Sequence, residues 1–280
     1  MRLIAYRTEG RDGLALSRGD DLLDLGPITL QGVLEAGPEA LAALDRQADR
    51  APALDTRAIR HRPPLPHPPK IICVGLNYAD HTKESPYQQP TYPTVFPRFA
   101  SSLIGHGDPI RRPLCSVQLD YEGELVAVIG RAGRHIARDR ALDHVAGYSV
   151  FNEASIRDYQ FKTPQWTVGK NFDSTGAFGP AFVTTDELPA GGRGLRLETR
   201  LNGVTVQSAS TADMLFDVAE IVATLSEAFT LEVGDVLVTG TPAGVGFGRK
   251  PPVWMRHGDM VEVEIEGVGL LRNPVLDEER

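Results

Sequence analysis

From Lys70 onward the chain is a succession of short apolar segments: "KIICVG", "LVAVIG", "AGYSVFN", "GPAFVTT", "LRLETRLNG", "DVLVTG" and "MVEVEIEGVG". Clusters of Gly, Pro and Asp separate them, and that is the chemistry of turns between strands. This texture constrains the fold more than any motif does. It lacks the regular strand–helix alternation of a doubly wound sheet and specifies an α+β, mostly β protein with few helices. Two helices are expected in this part, around 155–162 and around 215–228, the latter carrying "LFDVAEIVATLSEA". No internal repeat of fixed period is present.

The residues before Lys70 read differently. "RLIAYR" and "GLALSR" flank "TEGRDG", the pattern of a hairpin. A helix is expected from Thr29, with apolar positions Leu30, Val33, Leu34, Leu41 and Leu44 and a break at Gly37-Pro38. "HRPPLPHPPK", residues 61–70, then holds five prolines and reads as a stiff extended connector. Its His61 and His67 are read as linker surface rather than ligands. The expected division is a small N-terminal α/β domain, 1–66, and a larger domain, 67–280.

Charge and cysteine usage exclude several classes. With 37 acidic and 29 basic residues the net charge is −8, so there is no footprint of a nucleic-acid binder. No run of about 18 apolar residues marks a membrane span. The start "MRLIAYRTEG" has neither the apolar core nor the cleavage site of a signal peptide. Cys73 and Cys115 are expected as buried core thiols of a cytoplasmic protein rather than as a disulfide.

Within "LDYEGELVAVIG" two carboxylates stand two positions apart in what is otherwise a core strand. Strand side chains alternate faces, so Glu122 and Glu124 share one with Val126 and Val128. Tyr121, Gly123, Leu125, Ala127 and Ile129 take the other. Buried carboxylates are costly unless their charge is compensated, and the plain alternative is a solvated strand start. Glu153 falls at a strand–helix junction in "AGYSVFNEASIRDYQ", with Ser155 as the expected helix start and Arg157 and Asp158 in its first turn. Three converging carboxylates would suit a hard divalent cation, magnesium, manganese or calcium, over zinc. Other sites fail. "TPAGVGFGRK" lacks the Gly-Lys-Ser/Thr ending of a phosphate loop and has Arg249 where a dinucleotide fingerprint needs glycine. There is no Gly-x-Ser-x-Gly elbow and no His-Glu-x-x-His helix.

"VGLNYADHTKE", "LDYEGELVAVIG", "GYSVFNEASIRDYQ", "WTVGKNFD" and "VTGTPAGVG" resemble, in order, the signature segments of the fumarylacetoacetate hydrolase family. The resemblance implies that family's mixed β-sandwich roll and a homodimer. It implies Glu122, Glu124 and Glu153 as metal ligands, Glu153 following Glu124 by 29 positions. Many members have Asp where this chain has Glu153, and Asp158 is the competing third ligand. His81 and Glu84 match a water-activating dyad on a lid, and Lys170 matches a lysine facing the reacting carbonyl. Arg157, Gln160, Thr241 and Tyr78 match substrate-side positions. The implied activity is metal-dependent hydrolysis of a carbon–carbon bond in a 2,4-dioxo acid, an acylpyruvate such as fumarylpyruvate or maleylpyruvate, in aromatic compound catabolism. Decarboxylation of a 2-oxo acid such as oxaloacetate, hydroxymuconate-type isomerisation and hydration are the alternatives within the family. A non-catalytic metal-stabilised binding protein is the distant one.

Overall fold

The computed structural model describes residues 1–19, 21–84 and 88–279. Arg2–Thr8 and Arg11–Arg18 pair antiparallel, as their sequence directs. Between them Glu9 lies at φ 47° and Gly10 at φ 80°, the paired positive φ of a tight twisted hairpin. Thr29 caps the helix Leu30–Glu35 by accepting from the Gly32 amide. Pro38 then opens the helix Pro38–Ala48, where its missing N–H is no loss.

Among the described residues the large sheet has eleven strands. Its main path runs Asp21–Asp24, Arg11–Arg18, Arg2–Thr8, Gly176–Thr184, Val145–Glu153, Gly123–Ile129, Val236–Val238, Ile71–Gly75 and Thr94–Pro97. The N-terminal strands therefore continue the same sheet, through Leu3 paired with Phe182. A second sheet of five strands runs Val204–Ser210, Arg196–Leu201, Met260–Ile265, Gly269–Asp277 and Ile110–Arg112. The architecture is strand-rich and mixed, with the second sheet packed on one face of the first.

Alternation along Gly123–Ile129 divides the core. Leu125, Ala127 and Ile129 pack with Leu197, Val263 and Leu271 of the second sheet. Val126 and Val128 pack on the other face with Cys73, Phe151 and Phe178, under the N-terminal helices that supply Leu30 and Leu34. Gly123 faces the second sheet, where a Cβ would come within 2.3 Å of Thr199 Oγ1. The Glu-Gly-Glu pattern thus has a packing cause: only glycine fits between the two acids.

Three expectations need correction. His61 is not linker surface: it pairs with Tyr6 in the sheet, and its ring lies 5.0 Å from that of His106. Pro63, Pro64 and Leu65 beside it are buried, so this stretch of the connector is packed, while His67 is exposed. Cys73 is buried and Cys115 exposed, both unpaired. Ser155 does not start a helix. It pairs with Asp120 in a two-residue bridge, which confines the helix to Arg157–Gln160. The later helix forms as Val218–Ala228, capped by Asp217. Among the described residues no helix is long and apolar enough to cross a membrane.

Candidate active site

Strand register brings the acids together. Gly123 stands opposite Asn152, which places Glu122 opposite Glu153 across the antiparallel pair. The Glu153 amide donates to the Glu122 carbonyl at 2.9 Å. Residues opposite one another share a face, as do residues two apart, so Glu122, Glu124 and Glu153 point into one space. All three are buried, and one oxygen from each lies within 4.8 Å of the others. Asp158 is not part of the cluster: it accepts from Ser116 Oγ at 2.6 Å.

Cations interleave with the acids. Lys170 Nζ donates to Glu122 Oε2 at 2.8 Å and to Glu153 Oε2 at 3.0 Å. Arg157 Nη2 lies 2.6 Å from Glu122 Oε1, while its Nη1 donates to Gln160 Oε1 at 2.8 Å. Burial acts to raise the Glu122 pKa, but the charges of Arg157 and Lys170, with His81 assisting, outweigh it and bring it to about 2. Burial likewise opposes the Lys170 ammonium, yet Glu122 and Glu153 hold its pKa above the ordinary lysine range. Glu124 is the odd member. Burial, then repulsion from Glu153 and Glu122, push its pKa well above the ordinary value, although the Gly240 amide donates to it.

The helix Ala79–Glu84 lies over this space. His81 Nδ1 is 3.0 Å from Glu84 Oε1, and the ring lines the same cavity as the triad. Glu84 is itself held by backbone. The Gly244 amide lies 3.0 Å from both its oxygens and the Val245 amide 3.4 Å from one. The next two amides, Gly246 and Phe247, donate to Asp120 at 2.7 and 2.9 Å. Asp120 also accepts from Arg157 Nε at 2.8 Å. The glycine-rich segment is therefore an anion-binding loop whose anions are this chain's own carboxylates.

His81, Glu122, Glu124, Glu153, Arg157, Gln160, Lys170 and Thr241 all line one cavity of about 30 Å³, walled further by Phe161, Trp166 and Phe247. Glu84 joins through His81. Thr241 spends its hydroxyl proton on the Gly123 carbonyl at 3.0 Å and accepts from Gln207 at 2.8 Å. Tyr78 is not in this cavity; it is packed in the core. Sequence reasoning missed Asp120 and Arg98. Asp120 extends the two-residue spacing of Glu122 and Glu124 by one step, a signal that was present. Arg98, buried with Nη1 at 3.6 Å from Glu153 Oε1, had none.

Fold and site together define a class: a strand-rich enzyme scaffold whose paired strands present three buried carboxylates beneath a histidine–glutamate helix. The sequence profile described as "Fumarylacetoacetate (FAA) hydrolase C-terminal" matches residues 70–276. The chain belongs to the fumarylacetoacetate hydrolase family of enzymes. It is 40% identical over 289 residues to the Xenopus laevis protein "Oxaloacetate tautomerase fahd2, mitochondrial", with 99% of this chain and 90% of the relative covered. The solved fumarylacetoacetate hydrolase of psychrophilic Exiguobacterium antarcticum superposes with a TM-score of 0.87 at 40% identity, covering 99% of this chain and 100% of that one. The maleylpyruvate hydrolase from Sphingobium, solved with manganese (II) ion and pyruvate, superposes at 0.84 with 25% identity and 100% of both chains covered.

Proposed function

We propose that this protein is a divalent-metal-dependent tautomerase of small 2-oxo dicarboxylic acids of the oxaloacetate kind, moving a proton between the enol oxygen and C3. The observation that carries the reading is the convergence of Glu122, Glu124 and Glu153 with Lys170 and His81 on one small cavity. The full-length similarity to a named oxaloacetate tautomerase favours proton transfer over the acylpyruvate hydrolysis expected from the sequence.

The residues fit a hard cation. All three donors are carboxylate oxygens, and one from each lies within 4.8 Å of the others with no nitrogen or sulfur donor among them. Four buried carboxylates (Asp120, Glu122, Glu124 and Glu153) face three buried cations (Arg98, Arg157 and Lys170). The set is neutral only while Glu124 keeps its proton. Ionised around a divalent cation, it is positive by one and suits an anionic acid. Glu122, Glu124 and Glu153 would hold magnesium or manganese, which would supply Lewis-acid polarisation of a 2-oxo group.

The side chains divide the remaining work. Nδ1 of His81 is committed to Glu84, so Nε2 is the atom that takes the proton from C3 and delivers it to the enol oxygen, and does the reverse in the other direction. Glu84, fixed by the Gly244 and Val245 amides, orients the ring. Lys170 holds negative charge developing on the enol oxygen, and Arg157 with Gln160 binds the substrate carboxylate. Phe161, Trp166 and Phe247 wall the cavity and shield it from bulk water.

Carbon–carbon hydrolysis is the second reading, favoured by the His81–Glu84 pair, which would equally activate a water. Ultraviolet decay of enol-oxaloacetate, run with manganese beside pyruvate release from maleylpyruvate and fumarylpyruvate, separates the two. Accelerated enol decay without pyruvate release is expected. Faster pyruvate release from an acylpyruvate would replace the tautomerase reading with the hydrolase one.

A further inference from the structure

Arg98 does not line the carboxylate cavity, yet its guanidinium reaches the triad. Its side chain has 0% exposure, and three of its contacts fix the planar group. Nε donates to Ser102 Oγ at 3.0 Å, and Nη2 to Thr175 Oγ1 at 2.6 Å and to the Ala154 carbonyl at 3.3 Å. The guanidinium carbon lies 5.5 Å from the centre of the Phe151 ring. The slot exists because Gly176, the cross-strand partner of Glu153, has no side chain. A Cβ there would come within 2.8 Å of Arg98 Nε. One nitrogen remains. Nη1 has no hydrogen bond among the described residues, and neither has Glu153 Oε1, 3.6 Å away. The other oxygen of Glu153 accepts from Lys170.

We propose that Arg98 is a positioning residue that holds Oε1 of Glu153 to itself, leaves Oε2 alone for a cation, and thereby sets the site's preference for magnesium and manganese over calcium. The inference rests on the reading of the triad as a cation site. Calcium takes six to eight oxygens at about 2.3–2.6 Å and readily uses both oxygens of one carboxylate. Magnesium demands about six near-ideal contacts at about 2.1 Å and takes one oxygen from each acid. A glutamate has one more rotatable bond than an aspartate, so its carboxylate can swing to offer both oxygens. A buried guanidinium, rigidly bonded and paired with one of them, removes that freedom. Arginine suits this task because its planar fork fixes direction, which a lysine's point charge does not.

The test is calorimetric titration of magnesium, manganese and calcium into the chelator-stripped full chain, comparing wild type with Arg98→Met and Arg98→Lys. Arg98→Met keeps most of the stem and removes the charge. It should raise calcium affinity relative to magnesium by about tenfold or more, since the freed carboxylate becomes bidentate. Arg98→Lys keeps the charge without the fork and should shift the ratio the same way by a smaller factor. A general loss in which calcium and magnesium weaken equally would show that Arg98 only neutralises buried charge, and would overturn the proposal. Should Arg98→Met fail to fold, Arg98→Lys decides alone: a shifted ratio supports the proposal and an unchanged one overturns it. If wild type binds neither cation, the cation site itself falls and this inference falls with it. If wild type binds and the variants keep its ratio, only this inference falls.

Discussion

His81 and Asp120 illustrate two ways in which one side chain can matter. His81 touches the cavity and its Nδ1 is committed to Glu84, so its loss removes a proton carrier and no metal donor. His81→Ala should lower enol–keto turnover by about two to four powers of ten, while manganese affinity measured by titration stays put. A loss below about tenfold would assign the proton to another group. Asp120 is not among the residues lining that cavity. It accepts from the amides of Tyr121, Gly246 and Phe247 and from Arg157, all within 2.9 Å. Asp120→Asn sets an NH₂ group against those donors and leaves Arg157 undercompensated. It should cost about 3–5 kcal/mol in urea unfolding, the scale of a broken buried ion pair. A cost below about 1 kcal/mol would show that the loop and Arg157 do not depend on it. Both acids of the Glu-Gly-Glu pair were legible in the sequence, because two-residue spacing fixes a face. Asp120 carried the same spacing, but nothing local distinguishes an acid that braces a loop from one that meets solvent. The hydroxyl of Thr241 was likewise unreadable, since its acceptor is the Gly123 carbonyl on a distant strand.

The glycine-rich segment 241–248 and the helix Ala79–Glu84 act as a pair of elements. As sequence, "TPAGVGFGRK" fails every phosphate-loop test, yet its amides still converge on anions. A motif search looks for an external phosphate, whereas the loop's anions lie far off in the chain, at Glu84 and Asp120. The helix 155–162 was overextended for a similar reason. Its apolar and polar pattern is local, but pairing of Ser155 with Asp120 draws its first residues into a strand. Gly244 is the position where the pair of elements can be tested. Its φ is +103°, and a Cβ would meet the Val206 carbonyl oxygen at 2.2 Å. Gly244→Ala should therefore shift the amide that holds Glu84, cost about 1–3 kcal/mol in stability, and loosen the His81 ring. Turnover per folded molecule should fall, and the pH profile of turnover should change, with manganese titration unaltered. If stability drops while the pH profile and turnover of the folded fraction stay at wild-type values, the loop is a structural brace and Glu84 keeps its place without it.

At the scale of the molecule, strand content and the faces of the main strand were legible because period-two patterning is local. Strand order was not. Leu3 against Phe182 and Val236 against Ile71 join segments far apart in sequence, and patterning carries no partner information. The resulting sheet concentrates charge at one place, and the stability of the whole chain should report it. In the metal-free protein the Glu124 pKa is raised above its ordinary 4.5 by burial and then by Glu153 and Glu122. The unfolded chain releases that proton near 4.5, and the folded chain holds it to higher pH. Between those points the folded state binds more protons. The stability contributed by the protonated carboxyl is thus complete below the lower value and is lost as pH rises toward the upper one. A bound divalent cation reverses the sign, because it needs the ionised carboxylate. Wild type in chelator should therefore lose melting temperature relative to Glu124→Gln, which has no proton to give up, as pH rises above the ordinary carboxylate range. Manganese at about a hundredfold its Kd should add about 2.7 kcal/mol to wild type, roughly 5 °C at this size. It should add almost nothing to Glu124→Gln. The variant would then be the more stable protein without metal and the less stable one with it. Equal stabilisation of both proteins by manganese would place the cation elsewhere, and a wild-type melting temperature that rises with pH relative to the variant would remove Glu124 as the proton-holding acid.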